Sequence, residues 1–162
     1  MITIRPIQPA DRPWLAQTFT RLWGATQMVS RGRLFDLATL PGFLACDGVE
    51  IVGIVTYRPE AMECEISSLN ALRRRQGIGR QLLAYMAALG KQKGWQRLWL
   101  ITTNDNLPAQ RFYEAIGWRL AQIHHRAIKQ SRLLKPEIPL RGLNGVPLED
   151  EYEYELLLTD DD

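Results

Sequence analysis

The chain opens with Ile2-Thr3-Ile4-Arg5-Pro6, an alternation that predicts a short first strand. Trp14, Leu15, Phe19, Leu22 and Trp23 then recur at helical spacing, with Pro13 in the first turn and Asp11 placed as an N-cap. Residues 12–23 are therefore expected to form an amphipathic helix. From Gly24 to Gly42 the pattern weakens, and a short helix around Leu34 to Leu40 is expected. Phe43 to Cys46 and Val49 to Tyr57 read as strands joined at Asp47-Gly48, and Met62 to Leu69 as a further strand. Leu82, Leu83, Met86 and Leu89 form the stripe of a long helix that opens at Gly77-Ile78-Gly79 and stops at Gly94.

Leu98 to Thr102 predicts a buried strand, Pro108 to Ile116 a short helix, and Trp118 to Ile128 another strand. Residues 129–148 hold three prolines and two glycines and are expected to be a long irregular excursion. In the last segment Tyr152, Tyr154, Leu156 and Leu158 alternate with Glu151, Glu153 and Glu155, which is strand periodicity. This mixture of strands and helices, ending in a β–α–β run, predicts an α/β (α+β) fold on one mixed sheet.

Composition changes this picture little. A length of 162 residues fits one domain spanning 1–162. The formal net charge of +2 is too small to argue for a nucleic-acid partner, and Glu149-Asp150-Glu151 weighs against an extended basic footprint. Cys46 and Cys64 have no metal-ligand spacing, so no metal is expected, and they read as reduced, buried thiols. No apolar run approaches the ~20 residues of a membrane helix, and a secretory n-region is lacking, so the expectation is a cytoplasmic protein without a membrane partner.

The chemistry concentrates in two stretches. Arg74-Arg75-Gln76-Gly77-Ile78-Gly79 lies between a strand and a long helix. Its glycines allow a tight turn and close approach, and the amides of Gln76 to Arg80 at a helix N-terminus suit a pyrophosphate. A P-loop and a Rossmann turn do not match, since no GxxxxGK[ST] occurs and Leu82 stands where a third glycine would. The second stretch runs from Asn106 through Pro108, Ala109 and Tyr113 to Gly117-Trp118.

Together the two stretches resemble the GNAT acetyltransferase superfamily. Arg74, Gly77 and Gly79 match its cofactor signature, [Q/R]-x-x-G-x-[G/A]; Asn106, Ala109, Tyr113, Gly117 and Trp118 match its later signature in register. The resemblance implies a mostly antiparallel central sheet flanked by helices, with a V-shaped opening between two parallel strands, here Glu63 to Leu69 and Leu98 to Thr102. It implies acetyl-CoA as acyl donor and a primary amine, of a small molecule or a peptide or protein, as acceptor. The pantetheine arm is expected along the end of the strand at Leu69 or Ala71, according to which alignment holds. The pyrophosphate is expected on the amides of Gln76, Gly77, Ile78, Gly79 and Arg80, with Asn106 and Ala109 on the other side. Arg73, Arg74, Arg75 and Arg80 are candidates for the 3′-phosphate.

Acetyl transfer needs a neutral amine and a proton for the departing thiolate. Tyr113 is the expected acid. Its ordinary pKa near 10 lies above that of a thiol, about 8.5, so donation has to be coupled to C–S cleavage. For the base, Glu63 and Glu65 are two apart on one strand and share a face. One of them falls where many relatives carry a glutamate that relays a proton through water. His124 and His125 are alternatives, and as neighbours on a strand at most one faces a cleft. A non-catalytic acyl-CoA-binding module is the competing class, and monomer and homodimer both stay open. The loops at 24–42 and 129–150 are expected to flank the acceptor. An acidic mouth at Glu149, Asp150 and Glu151 would draw in a cationic amine.

Overall fold

The computed structural model describes residues 1–159, so the last three residues of the expected 1–162 domain lie outside the described part. The fold is α/β. Seven strands hydrogen-bond in the order β1-β4-β5-β6-β7-β9-β8, and where the register is defined the pairs are antiparallel. A separate two-stranded ribbon, β2-β3, and four helices complete it. The chain divides into two compact units.

The first unit comprises residues 1–26, 36–98 and the segment from 157. It holds β1 (Ile2–Pro6), α1 (Arg12–Trp23), β4 (Gly42–Asp47), β5 (Glu50–Glu60), β6 (Glu63–Ala71) and α2 (Ile78–Lys93). Leu15 and Phe19 of α1, Leu44, Val52 and Ile54 of the strands and Leu82 and Met86 of α2 are fully buried. The helical stripes and strand segments mark these positions in the sequence, but Leu22 and Trp23, also in the expected α1 stripe, are exposed. A Cβ at Gly53 would lie 2.4 Å from Ile78 Cγ2 and 3.1 Å from Leu82 Cδ1, so β5 carries a notch that seats the first turns of α2. The hairpin turn falls one residue later than expected, on Gly48-Val49, with Asp47 paired to Glu50.

Asp11 stands at the N-cap of α1 as expected, but its carboxylate makes no capping bond: it accepts from both guanidinium nitrogens of Arg5 at 2.8 and 2.9 Å and from the Gln8 amide. The Arg5 hydrogen bonds hold Asp11 below the usual carboxylate range. The expected helix at Leu34 to Leu40 is instead the end of a strand, β3 (Arg33–Asp36), followed by a single 3-10 turn at Leu37–Thr39. Asp36 caps that turn through the Ala38 amide at 2.9 Å.

The second unit comprises residues 27–35 and 99–156. It holds the ribbon β2 (Gln27–Ser30) and β3, most of β7 (Arg97–Thr103), α3 (Leu107–Ala115), β8 (Arg119–His124), α4 (Ala127–Leu134) and nearly all of β9 (Glu151–Leu157). The expected strand from Trp118 to Ile128 stops at His124. Arg126 takes a left-handed φ of 60°, its amide donates to Asp150 Oδ1 at 2.8 Å, and α4 begins. The irregular excursion therefore contains a two-turn helix whose Ile128 and Ser131 are buried. No described helix is long and apolar enough to cross a membrane.

The last strand departs furthest from its pattern. Tyr154 is buried, as expected of the apolar face, but Glu151, Glu153 and Glu155 on the other face are 1%, 3% and 8% exposed. A period of two separates two faces without saying which is covered, and β9 is covered on both. β8 pairs with β9 antiparallel, with Arg119 opposite Glu155 and Leu120 opposite Tyr154. The register then skips Ala121, so that Gln122 stands opposite Glu153 and His124 opposite Glu151. This bulge puts Arg119, Gln122 and His124 all across from the three glutamates.

Candidate active site

In the first unit the strongest feature is the turn from β6 into α2. β6 runs to Ala71, which pairs with Gly53, so the strand extends past Leu69 to the later of the two expected contact positions. The Leu72 amide then donates to Val52 O at 2.8 Å. Arg73 is held by Asp47 at 2.7 Å and by Glu50, and is thereby withdrawn from the candidates for a phosphate partner. Its hydrogen bond keeps Asp47 below the usual carboxylate range. Arg74, Arg75, Gln76 and Gly77 are exposed, while Ile78 is 1% exposed and anchors the helix. Arg75 and Gly77 both have positive φ, 62° and 67°. This geometry carries the backbone around without a side-chain cap. The first bond of the helix is Gln81 N to Gly77 O at 3.0 Å, leaving the amides of Ile78, Gly79 and Arg80 without intrahelical partners. A Cβ on Gly77 would meet nothing within 4 Å, so the space beside Gly77 itself is open. An open row of amides at the positive end of a 16-residue helix is a place for an anion.

On β6 itself, Glu65 is buried and its carboxylate lies 3.4 Å from Arg58; Glu63 is partly exposed and lies 3.0 Å from Arg97. Ser67 Oγ and Asn70 Oδ1, which the sequence did not single out, are buried without a hydrogen-bond partner among the described residues. Unsatisfied buried polar atoms are costly, and a ligand that pairs with them removes that cost. Burial pushes the Cys64 thiol up to about 12, reinforced by the Glu65 carboxylate, so Cys64 is an inert core thiol.

In the second unit, Asn106 is the N-cap of α3 and its Oδ1 accepts from the Ala109 amide at 3.2 Å. The Asn-x-x-Ala spacing is therefore a capping pair as it stands. Tyr113, one helical turn on, rests against Phe112, Trp118 and Tyr154, with ring centroids 5.3–5.9 Å away. Burial pushes its hydroxyl up to about 12, and no hydrogen bond from it occurs among the described residues. Tyr154 is also pushed up to about 12, but its hydroxyl donates to Glu114 at 2.9 Å. Of these two neighbouring tyrosines, one has a structural partner and the other keeps its proton uncommitted.

The same unit contains a polar cleft of about 440 Å³ along β8, the β2–β3 turn and α4. His124 and His125 both line it. His124 is largely buried, with Nε2 3.0 Å from Glu153 Oε1; His125 is exposed and 3.7 Å from Asp150. Arg31 lies 3.6 Å from Glu153 and stacks over Trp99 at 5.5 Å, and its amide donates to Glu151 at 3.1 Å. Ser131 also donates to Glu151, at 3.2 Å. The acidic mouth expected at Glu149, Asp150 and Glu151 does not form: Glu151 is buried and Asp150 holds the turn into α4. Nothing in the sequence marked Arg31, which the ribbon turn brings to this cleft.

The Acetyltransferase (GNAT) family model matches residues 11–118, two-thirds of the chain. The chain belongs to the GNAT acetyltransferase family. This GNAT chain is 36% identical over 152 residues to the uncharacterized protein YdhI of Bacillus subtilis (strain 168), covering 93% of this chain and 95% of YdhI. Among solved structures it is similar to a GNAT family acetyltransferase from Elizabethkingia anophelis with acetyl-CoA bound (TM-score 0.69, 23% identity, 96% and 97% of the two chains). It is also similar to the ribosomal-protein-S18-alanine N-acetyltransferase from Escherichia coli (TM-score 0.67, 18% identity, 100% and 97%). At these identities the two structures establish the shared fold. The turn at Gly77 and the helix carrying Asn106 and Tyr113 both lie inside the matched span.

Proposed function

We propose that this GNAT chain works as a single acetyl-CoA-dependent N-acetyltransferase domain. It moves an acetyl group to a primary amine by direct attack in a ternary complex. The observation that carries the reading is the row of unpaired amides after Gly77, in a GNAT chain whose fold is shared by a structure with acetyl-CoA bound. In the proposal the amides of Gln76 to Arg80 bind the pyrophosphate, and Arg74, Arg75 and Arg80 meet the remaining phosphate. The end of β6, Leu69 to Ala71, lines the pantetheine arm, with Asn106 and Ala109 contributing from α3. The unpaired Ser67 Oγ and Asn70 Oδ1 support a polar ligand beside β6, since each gains a partner when one binds.

Tyr113 is the proposed acid. An uncommitted phenol that stays protonated through neutrality can donate to sulfur as the C–S bond breaks. Glu63 and Glu65 are each engaged by an arginine, so their proposed part is to order water that carries a proton rather than to hold the proton. The test is a panel of primary amines with acetyl-CoA and detection of free thiol. Amine-dependent thiol release with acetylated product supports the reading. Tight acetyl-CoA binding with no thiol release across the panel replaces it with a non-catalytic acyl-CoA-binding module.

A further inference from the structure

We propose that His124, held by Glu153, is the general base that takes a proton from the acceptor ammonium, and that the cleft it lines receives a small primary alkylamine. The inference rests on the acetyl-transfer reading above and adds to it the proton acceptor and the acceptor's class.

Three observations meet at this residue. The bulge that skips Ala121 sets His124 on the same side of the β8–β9 ladder as the glutamates. The 3.0 Å contact joins Nε2 to a Glu153 carboxylate that is 4% exposed. An ionised carboxylate only accepts hydrogen bonds, so this contact fixes the proton on Nε2 and leaves Nδ1 with a free lone pair. No bond to Nδ1 occurs among the described residues. The charged groups around the imidazole are Glu153 and Glu151 from β9 and Arg31 from the ribbon turn, with His125 and Asp150 beside them. A buried carboxylate behind an imidazole fixes its tautomer and stabilises the imidazolium when it forms. The cleft, about 440 Å³, has the volume of a small-molecule site, and its wall carries Gln122 and Gln130 as neutral hydrogen-bonding groups. Glu63 and Glu65, by contrast, already face guanidinium groups.

The protons balance. His124 Nδ1 takes one from R–NH3+, and the neutral amine attacks the thioester carbonyl. The C–N bond forms and the C–S bond breaks, and the leaving sulfur receives the Tyr113 proton. The surplus proton on nitrogen restores the phenol through solvent, and His124 releases its own to solvent. A base matters only if the amine arrives charged, which supplies the test.

His124→Gln and Glu153→Gln are assayed by thiol release with 2-phenylethylamine and with its β,β-difluoro analogue, whose fluorines make the amine far less basic. Acetyl-CoA affinity is measured by calorimetry on the same preparations. The expected result for His124→Gln is a fall in kcat/KM of about 10²-fold or more with 2-phenylethylamine, the range of a lost general base. The loss with the difluoro analogue is expected to stay within about tenfold, with acetyl-CoA affinity unchanged. Glu153→Gln is expected to lose less and to shift the pH profile of kcat/KM without abolishing it. An equal fall on both amines assigns His124 to structure and overturns the proposal, as does wild-type activity in His124→Gln. Wild-type protein that acetylates other amines but neither phenylethylamine overturns the acceptor class. Silence on every amine removes the acetyl-transfer reading itself.

Discussion

Replacing Tyr113 by phenylalanine removes one hydroxyl and nothing else from the aromatic cluster of α3, Trp118 and Tyr154. With the Tyr113 hydroxyl pushed up to about 12 and a free thiol at about 8.5, complete proton transfer to a separated thiolate is uphill by about 3.5 units. At 1.36 kcal/mol per unit that is about 5 kcal/mol. The phenol is therefore expected to act mostly as a hydrogen-bond donor to the charge growing on sulfur. A hydrogen bond to a charged group contributes about 1.5–3 kcal/mol, which is about 10- to 150-fold in kcat. That lies at the lower end of the general-acid range. Thiol-release kinetics at saturating amine measure kcat, and calorimetry checks that acetyl-CoA affinity holds. Tyr154→Phe is the control: it loses the 2.9 Å bond to Glu114, is expected to lower stability by about 1 kcal/mol, and leaves kcat unchanged. Wild-type kcat in Tyr113→Phe would return Tyr113 to packing. An alkaline limb near pH 9 that disappears in the variant would show that its hydroxyl titrates far below 12 and refute the magnitude.

Other consequences are as direct. Gly77→Val puts a β-branched residue at a φ of 67° in front of the open amides, and is expected to weaken acetyl-CoA binding by at least tenfold in calorimetry while far-UV dichroism stays native. Glu151→Ala strips the acceptor from the Arg31 amide and the Ser131 hydroxyl and is expected to cost about 1–3 kcal/mol by denaturant titration; an unchanged midpoint would mean the ladder is not structural. Stability should decline from about pH 9 to 12. Cys64, Tyr113 and Tyr154 ionise first in the unfolded chain, their folded values being raised to about 12, so their contribution is full below the unfolded value and lost as pH rises through the folded one. At the acid end Asp11 and Asp47, depressed by Arg5 and Arg73, withdraw stability as pH falls below the ordinary aspartate range.

The parts legible in the sequence are those where local signals and burial agree. α2 shows its stripe, its opening glycine and its closing Gly94, and it lies at Ile78–Lys93. α1, α3 and the strands β1 and β4 to β7 also stand where the pattern put them, to within a few residues. What stayed hidden was set by tertiary partners. The ribbon β2–β3 turns on Arg31-Gly32, both at positive φ, where an Asn-Gly pair would have announced a hairpin. α4 begins because Asp150, 24 residues on, accepts from the Arg126 amide. The alternation of β9 left the burial of its glutamates unread, because nothing local says that Arg31, Arg119, His124 and Ser131 will cover them. In the same way the acidic triplet looked like a mouth until the partners of Asp150 and Glu151 were seen.

The skipped Ala121 acts as a parity bit for the end of β8. It pairs with no residue of β9, yet its place outside the ladder decides which of two neighbouring histidines is dry and paired and which is wet. Side chains alternate along a strand, so if Ala121 entered the ladder opposite Glu153 instead of bulging out, Ile123 would stand opposite Glu151 and His124 would turn to the other face, with every letter unchanged. Between relatives, loss of the bulge with the residue count kept would rewire the cleft more thoroughly than any substitution within it. Aligned by letter alone, two such chains would appear to share a histidine that in fact serves opposite sides of the sheet.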